Sequence, residues 1–374
     1  MQHVLPVVGS KKLFKVILTV ALIAGFAGCA GTPEKKDTKQ KELVFPPPPE
    51  KPRFYFDRTI RSSLDIVVED DVSAFRRFAT GEQQRGDGLA KPFDIVATNG
   101  RIYVGDTVRR AVLVFDIRNK RFFQIGQEEP GKLYLPLGMA KDAAGNLYVV
   151  DGTAKRVLIY DEKGDFLRAI GGKDYFHRPS GLAVEPNGER VYVVDTGGVD
   201  TQEHRVRVFN GHTGEHLFDI GTRGSKEGQF NLPRDAVIAP DGKLYVVDGG
   251  NFRIQVFEPD GTFIKTFGAV GRRSGQFSRP KGIAADPSGN IYVSDTAFGN
   301  FQIFDPDGNL LLYVGSRGAR DRPAEYMLPA GIDVDEEGRV YMVEQFFRRI
   351  DIYRPATIPP LTEGTVTKDS PPSK

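Results

Sequence analysis

Six prolines, Pro92, Pro136, Pro179, Pro233, Pro280 and Pro329, stand 43 to 54 residues apart, and each opens the same local pattern. A short apolar run follows the proline, then a polar turn usually containing Gly, as at Gly145, Gly188, Gly242, Gly289 and Gly338. A second run carries Tyr in register (Tyr103, Tyr148, Tyr192, Tyr245, Tyr292, Tyr341) and ends in an acid: Asp106, Asp151, Asp195, Asp248, Asp295 and Glu344. A third run carries Phe115, Tyr160, Phe209, Phe257, Phe304 and Tyr353, and a fourth ends in an apolar residue and Gly at Gly126, Gly171, Gly221, Gly268 and Gly315. Four short strands recurring at this period are the mark of a propeller blade, which buries its faces only by stacking on neighbours in a ring. Six blades of about 45 residues each account for residues 91–357. The expected fold is all-β: a six-bladed β-propeller with four-stranded antiparallel blades.

The stretch 280–308 reads Pro-Lys-Gly-Ile-Ala, then Gly-Asn-Ile-Tyr-Val-Ser-Asp, then Phe-Gln-Ile-Phe-Asp-Pro-Asp-Gly, and it resembles the NHL repeat. The copy at 233–268, with Asn251-Phe252-Arg253-Ile254-Gln255-Val256-Phe257, is the clearest, and the resemblance extends over all six units. WD40 repeats are excluded because the chain has no Trp. The resemblance implies a rigid disc with binding loops on two faces.

The sixth unit has no fourth strand of its own, since Arg354-Pro355 leads into a proline-rich tail. An open ring would leave sheet edges unpaired. Residues 53–60 or residues 74–80, the latter with Phe75-Arg76-Arg77-Phe78, can supply the missing strand. The expected closure uses 53–60, with 70–80 as a short helix leading into the first blade.

Lys11, Lys12 and Lys15 precede an apolar run at 16–27, too short to span a bilayer comfortably and followed by small residues. This is the form of a secretory signal. The chain's single cysteine ends it: Phe26-Ala27-Gly28-Cys29 resembles the bacterial lipobox, which implies cleavage after residue 28 and a lipid on Cys29. Ala30 then implies outer-membrane sorting in a host that has one. Domain expectations follow: a signal at 1–28, a Pro-rich tether at 29–52, the propeller at 53–357 and an unfolded tail at 358–374. Removing the signal takes three of 51 basic residues and none of the 49 acids, leaving 48 against 49. The mature chain is near neutral, with no general attraction to nucleic acid. One cysteine also excludes a disulfide framework and multi-cysteine metal sites.

The acid ending the second strand is followed by Arg in four units: Asp151/Arg156, Asp195/Arg205, Asp248/Arg253 and Glu344/Arg349. Repetition around the ring marks these as turn pairs that accept backbone amides and join across the turn. Asymmetry points to function. Only the third unit carries an insertion, 196–204, with Asp200, Glu203 and His204. On the same face, the loops entering the first strand hold Lys132, Lys173, Arg178, Arg223, Lys226, Arg272, Arg273, Arg279, Arg317, Arg320 and Arg322. The candidate binding face is therefore Asp200, Glu203, His204, Arg223, Arg272, Arg273, Arg279, Arg317, Arg320 and Arg322. The opposite turns are acidic, with Glu258, Asp260, Asp286, Asp305, Asp307, Asp335, Glu336 and Glu337.

Six-bladed peptidyl-hydroxyglycine lyases resemble this chain in fold and hold zinc through several His residues. Here His177, His204, His212 and His216 do not converge on one face, so no metal site is expected. Nucleophile-elbow, phosphate-loop and haem motifs are absent, and no cofactor is expected. The expected function is a membrane-anchored, monomeric, extracytoplasmic binding or scaffold module. Its partner would be a cell-envelope protein or polysaccharide, and no nucleic-acid partner is expected. A lyase- or lactonase-type enzyme acting at the channel and a ligand-sensing envelope module are the alternatives.

Overall fold

The computed structural model describes residues 42–67, 79–81, 83, 85–98 and 100–361. The expected signal, Cys29, most of the tether, the 70–80 helix apart from its last two residues, and the tail beyond Leu361 lie outside the described residues. No helix among the described residues is long and apolar enough to cross a membrane.

Six antiparallel blades form the propeller. In the first, strands Pro92–Thr98, Arg101–Asp106, Ala111–Asp116 and Arg121–Ile125 follow one another from the channel outward. Blades two to five repeat the order from Pro136, Pro179, Pro233 and Pro280. The second and third strands read as continuous apolar runs because blades cover both of their faces; Leu147–Asp151 is buried at every position. Outer strands alternate instead, as in Leu310–Val314, where one face meets solvent. Six separate hydrophobic clusters fill the ring, one in each gap between adjacent blades. In blades two, five and six the tyrosine column ties the second strand to the turn before it: Tyr148, Tyr292 and Tyr341 donate to Asp142, Asp286 and Asp335 at 3.1, 3.0 and 2.9 Å.

The sixth blade is closed by the N-terminal segment. Its own strands, Pro329–Val334, Val340–Glu344 and Arg349–Pro355, take Phe54–Ile60 as the outer strand, antiparallel to Arg349–Pro355. A register shift falls between Phe56, opposite Tyr353, and Arg58, opposite Ile352. Equivalent shifts occur opposite Phe209, Phe257 and Phe304, so the borrowed strand reproduces the geometry of the covalent ones. An extra residue exchanges the faces of a strand. Phe54 therefore enters the cluster shared with blade five, and Ile60 the cluster shared with blade one. Val44–Phe45 adds a short fifth strand outside Phe54–Ile60, and the compact unit begins at Leu43, inside the stretch expected to be tether.

Removing residues 1–62 is expected to lower the melting temperature and produce oligomers by size-exclusion chromatography, because the edge of Arg349–Pro355 would be free to pair. Removing only 1–42 should do neither. Equal behaviour of the two truncations would show that Phe54–Ile60 does not hold the ring shut.

Candidate functional site

The acids that end the second strands are fully buried, apart from solvent and dense in hydrogen bonds. Each reaches back to the loop that enters the first strand of its own blade. Asp195 accepts Arg178 N at 2.7 Å, Asp295 accepts Ser278 N at 2.7 Å and Arg279 N at 3.0 Å, and Asp106 accepts Lys91 N at 2.9 Å. The same carboxylates hold the turn that follows, as when Asp151 accepts Thr153 N and Ala154 N at 2.9 Å. They are clamps that fix one or both of the two residues before each marker proline at the mouth of the channel.

The Arg partners vary. Arg253 Nε pairs with Asp248 at 2.9 Å, and Arg205 lies 3.8 Å from Asp195. Two expected pairs are corrected. Asp151 accepts backbone amides while Arg156 Nε is buried without a hydrogen-bond partner. Arg349 stands opposite Glu344 in register, yet its guanidinium turns to Asp321 and to Asp351, 3.1 Å away, because Glu344 is already saturated by Met327, Leu328 and Phe346 amides. Asp321 also receives Arg61 at 2.7 Å, which locks the borrowed strand to the last inter-blade loop.

The candidate binding face divides in the same way. His204 is fully buried, with Nε2 2.8 Å from Gly198 O and Nδ1 accepting Leu232 N at 3.2 Å; it braces the insertion and offers nothing to a ligand. Glu203 turns onto its own loop, where backbone and Thr201 hydrogen bonds hold its carboxyl below the usual range. Arg223 donates to Thr201 O at 2.7 Å, Arg317 to Thr296 O at 3.2 Å, and Arg320 pairs with Glu325 at 3.1 Å. Asp200, Arg272, Arg273, Arg279 and Arg322 are exposed. The acidic turns of the opposite face are mostly self-contained: Asp286 and Asp305 each bind an Asn four residues on.

The centre of the ring holds what the sequence reading passed over. On the face where first strands begin, a cavity of about 530 Å³ is lined by Phe93, Leu135, Leu137, Arg178, Arg234, Arg279, Lys281 and Gln345, with Asp94 and Asp235 at its inner end. The same two aspartates line a second cavity of about 700 Å³ that opens at the other face and also takes in Asp333. In four blades the third residue of the first strand is Gly (Gly138, Gly181, Gly282, Gly331); in blades one and four, across the ring from each other, it is Asp94 and Asp235. That departure from Pro-x-Gly was the available signal. Arg234 and Lys281 follow their prolines directly, one step beyond the loops that carry the other basic residues of this face.

Burial pushes the Asp94 carboxyl up to about 7 and that of Asp235 well above its ordinary range, with the Asp94 charge adding to the second shift. Met139 N donates to Asp94 at 2.7 Å and Ile283 N to Asp235 at 3.2 Å. Burial also lowers Lys281, to about 8, against the opposing pull of Asp94. Its ammonium lies 4.4 Å from the Phe93 ring centroid and donates to Gln345 Oε1 at 3.3 Å. Burial lowers the Arg234 guanidinium as well, helped by the charges of Arg178 and Arg279. Among the described residues, no group of three or more His, Cys, Asp or Glu is placed to hold a metal ion.

Residues 230–257 and 277–304 match the NHL repeat. The propeller carries NHL repeats. Rat peptidylglycine alpha-amidating monooxygenase is 31% identical over 173 residues, covering 42% of this chain and 17% of the rat protein. Human NHL repeat-containing protein 3 is 31% identical over 111 residues, 27% of this chain and 30% of that protein. The chain thus spans under a third of the length of either relative. Among solved structures, a protein of unknown function from Bacteroides thetaiotaomicron superposes with a TM-score of 0.58 at 18% identity, covering 79% of this chain and 75% of that one. This last likeness concerns the fold.

The raised carboxyls make stability pH-dependent. Asp333 is pushed up to about 8 by burial, with the Asp94 and Asp335 charges adding to it, while it accepts Ala97 N at 2.7 Å. A folded-state pKa above the unfolded one gives stability that is complete at low pH and lost as pH rises through the folded value. Asp333→Asn keeps the acceptor and removes the titration. The NHL propeller carrying it should lose less stability between pH 5 and pH 8.5 and melt several degrees above wild type at pH 8.5. Parallel melting curves for the two proteins across that window would contradict the assignment.

Proposed function

We propose that this NHL propeller is a lipid-anchored, extracytoplasmic binding module, held to a membrane through Cys29 and acting as a monomer on a protein or polysaccharide of the cell envelope. Each buried lipid methylene contributes about 0.8 kcal/mol, so a multiply acylated Cys29 anchors the chain stably. The observation that carries the reading is the chemistry of one face. Arg272, Arg273 and Arg322 project from its loops with no acidic partner among the described residues, and Val108, Val199, Val270 and Phe346 in the loops and turns of the propeller are exposed as well. Arginine forks suit carboxylate and phosphate groups, and the scattered apolar side chains add area. Exposed ion pairs are worth only about 0–1 kcal/mol each, so capture is multivalent and sensitive to salt. The disc is held rigid by its acid clamps and needs no moving part to do this.

Two measurements test the reading. Mass spectrometry of the N-terminal peptide should find Cys29 as an acylated first residue; an uncut, unmodified Cys29 contradicts the anchor. Crosslinking pull-down from intact envelopes should lose its specific partner when Arg272, Arg273 and Arg322 are changed together to Ser. An unchanged partner at low salt rejects this face, and capture that depends on Asp307 moves the site to the opposite one.

A second reading, a lyase- or lactonase-type enzyme working at the channel, is favoured by the meeting of Lys281 with Asp94 and Asp235. Shifted titrations of this kind gather at catalytic sites, and the amidating monooxygenase relative is an enzyme. Turnover of a lactone or ester panel that vanishes in Lys281→Met would bring this reading forward.

A further inference from the structure

The inner cavity has two unlike sides. Blades three to five contribute Arg178, Arg234, Arg279 and Lys281, the last with its ammonium over the Phe93 ring; blade two contributes the apolar Leu135 and Leu137. None of the three guanidinium groups has a hydrogen bond or an ion pair with a described residue. They are nonetheless close enough for Arg178 and Arg279 to disfavour the charge on half-buried Arg234. Gathering three like charges without a counter-ion costs stability, and nothing in the blade repeat demands it. The corresponding residues of other blades include Leu135 and Leu328 before the proline, and Leu137 and Ala330 after it.

The positions are also fixed. Asp195 and Asp295 pin the backbone amides of Arg178 and Arg279, so both guanidinium groups leave from a clamped main chain. Gln345, which lines the same cavity, has a buried Nε2 with no hydrogen-bond partner. Its oxygen is taken by Lys281, which leaves the amide donor unsatisfied in the wall. A buried donor without a partner is destabilising unless something fills the space beside it. The acids beneath do not cancel the cations under mildly acidic conditions, because burial keeps protons on Asp94 and Asp235.

We propose that this cavity binds a small amphipathic organic anion, its charged head held between Arg178, Arg234 and Arg279 and its apolar body laid on Leu135 and Leu137. The volume, about 530 Å³, is that of a site for a small molecule rather than for a polymer chain. A carboxylate and a phosphate monoester share the chemistry the guanidinium groups read. The arginines accept any small anion and select against neutral hydrocarbon, and the apolar wall adds affinity for an anion that carries an apolar body. This site lies inside the ring, apart from the outer loops assigned to a macromolecular partner, and does not depend on that assignment.

The test is isothermal titration of the full-length chain in lipid nanodiscs, with empty nanodiscs as the blank. The probes are 4-phenylbutyrate and 4-phenylbutyl phosphate, with 4-phenylbutanol and acetate as half-ligands. One equivalent of at least one anionic probe should bind roughly tenfold more tightly than either half-ligand, a difference of about 1.4 kcal/mol. Whichever anion binds better identifies the head group. The variant Arg178→Ser/Arg279→Ser, whose guanidinium groups make no hydrogen bond or ion pair with a described residue, should melt at or above the wild-type temperature and lose roughly tenfold in affinity. Arg272→Ser/Arg273→Ser on the outer loops should bind the probe as wild type does, which keeps the two sites distinguishable. Equal binding of 4-phenylbutanol, undiminished affinity in the Arg178/Arg279 variant, or no binding of either anion would overturn the proposal.

Discussion

Everything in this molecule depends on the ladder between Phe54–Ile60 and Arg349–Pro355. A propeller blade is stable only when both faces are covered, so an open ring would expose two blades at once and fray from the seam. The ladder prevents this with few means. A single register shift sends Phe54 toward one neighbouring blade and Ile60 toward the other. Thr59 donates to the buried Asp351 at 2.7 Å, and Asp321 joins Arg61 to Arg349. Cutting one partner out of the buried Arg349–Asp351 pair typically costs about 3–5 kcal/mol, so the seam is chemically distinct from the five ordinary blade junctions.

Closure in turn creates the channel and makes it crowded. First strands of adjacent blades approach so nearly that a Cβ on Gly138 would sit 2.6 Å from Gly181 Cα, and one on Gly181 2.5 Å from Asp235 Cα. Side chains at this level are admitted only where the next blade gives up its own. Asp94 lies over Gly331 and Asp235 over Gly181. The ring therefore carries two carboxyls at opposite places in a wall otherwise made of glycine. Their burial raises their affinity for protons and lowers that of Lys281 between them. Structure and chemistry are coupled here: the packing constraint that repeats six times decides where the few exceptions can stand.

How much the sequence disclosed follows from the same distinction. The blades, their strand order and the clamping role of Asp151, Asp195, Asp248 and Glu344 were legible because they recur and recurrence can be aligned. The closing strand was legible as one of two choices, 53–60 or 74–80, and the pairing of Phe54–Ile60 with Arg349–Pro355 decides for the first. The fate of particular charges was not legible. His204 reads as a surface residue of an insertion, yet the loop folds back and uses both ring nitrogens. Arg349 reads as one of a series, but its neighbour Asp351 exists in no other blade and draws it away. The cavity escaped because its cations come from both sides of the marker prolines, in residues that look like ordinary strand ends until the ring brings three blades together.

The broken symmetry of the channel mouth, rather than the basic surface as a whole, is where this propeller gathers three arginines that have no ion pair with a described residue, and it is there that the proposed anion would be held. Bromide is a small anion that marks such a place without needing an apolar body. Crystals grown in sodium bromide and measured at the bromine absorption edge should show an anomalous peak between Arg178, Arg234 and Arg279, at higher occupancy than any other. Strong peaks at Arg272, Arg273 or Arg322 with an empty channel mouth would contradict the account.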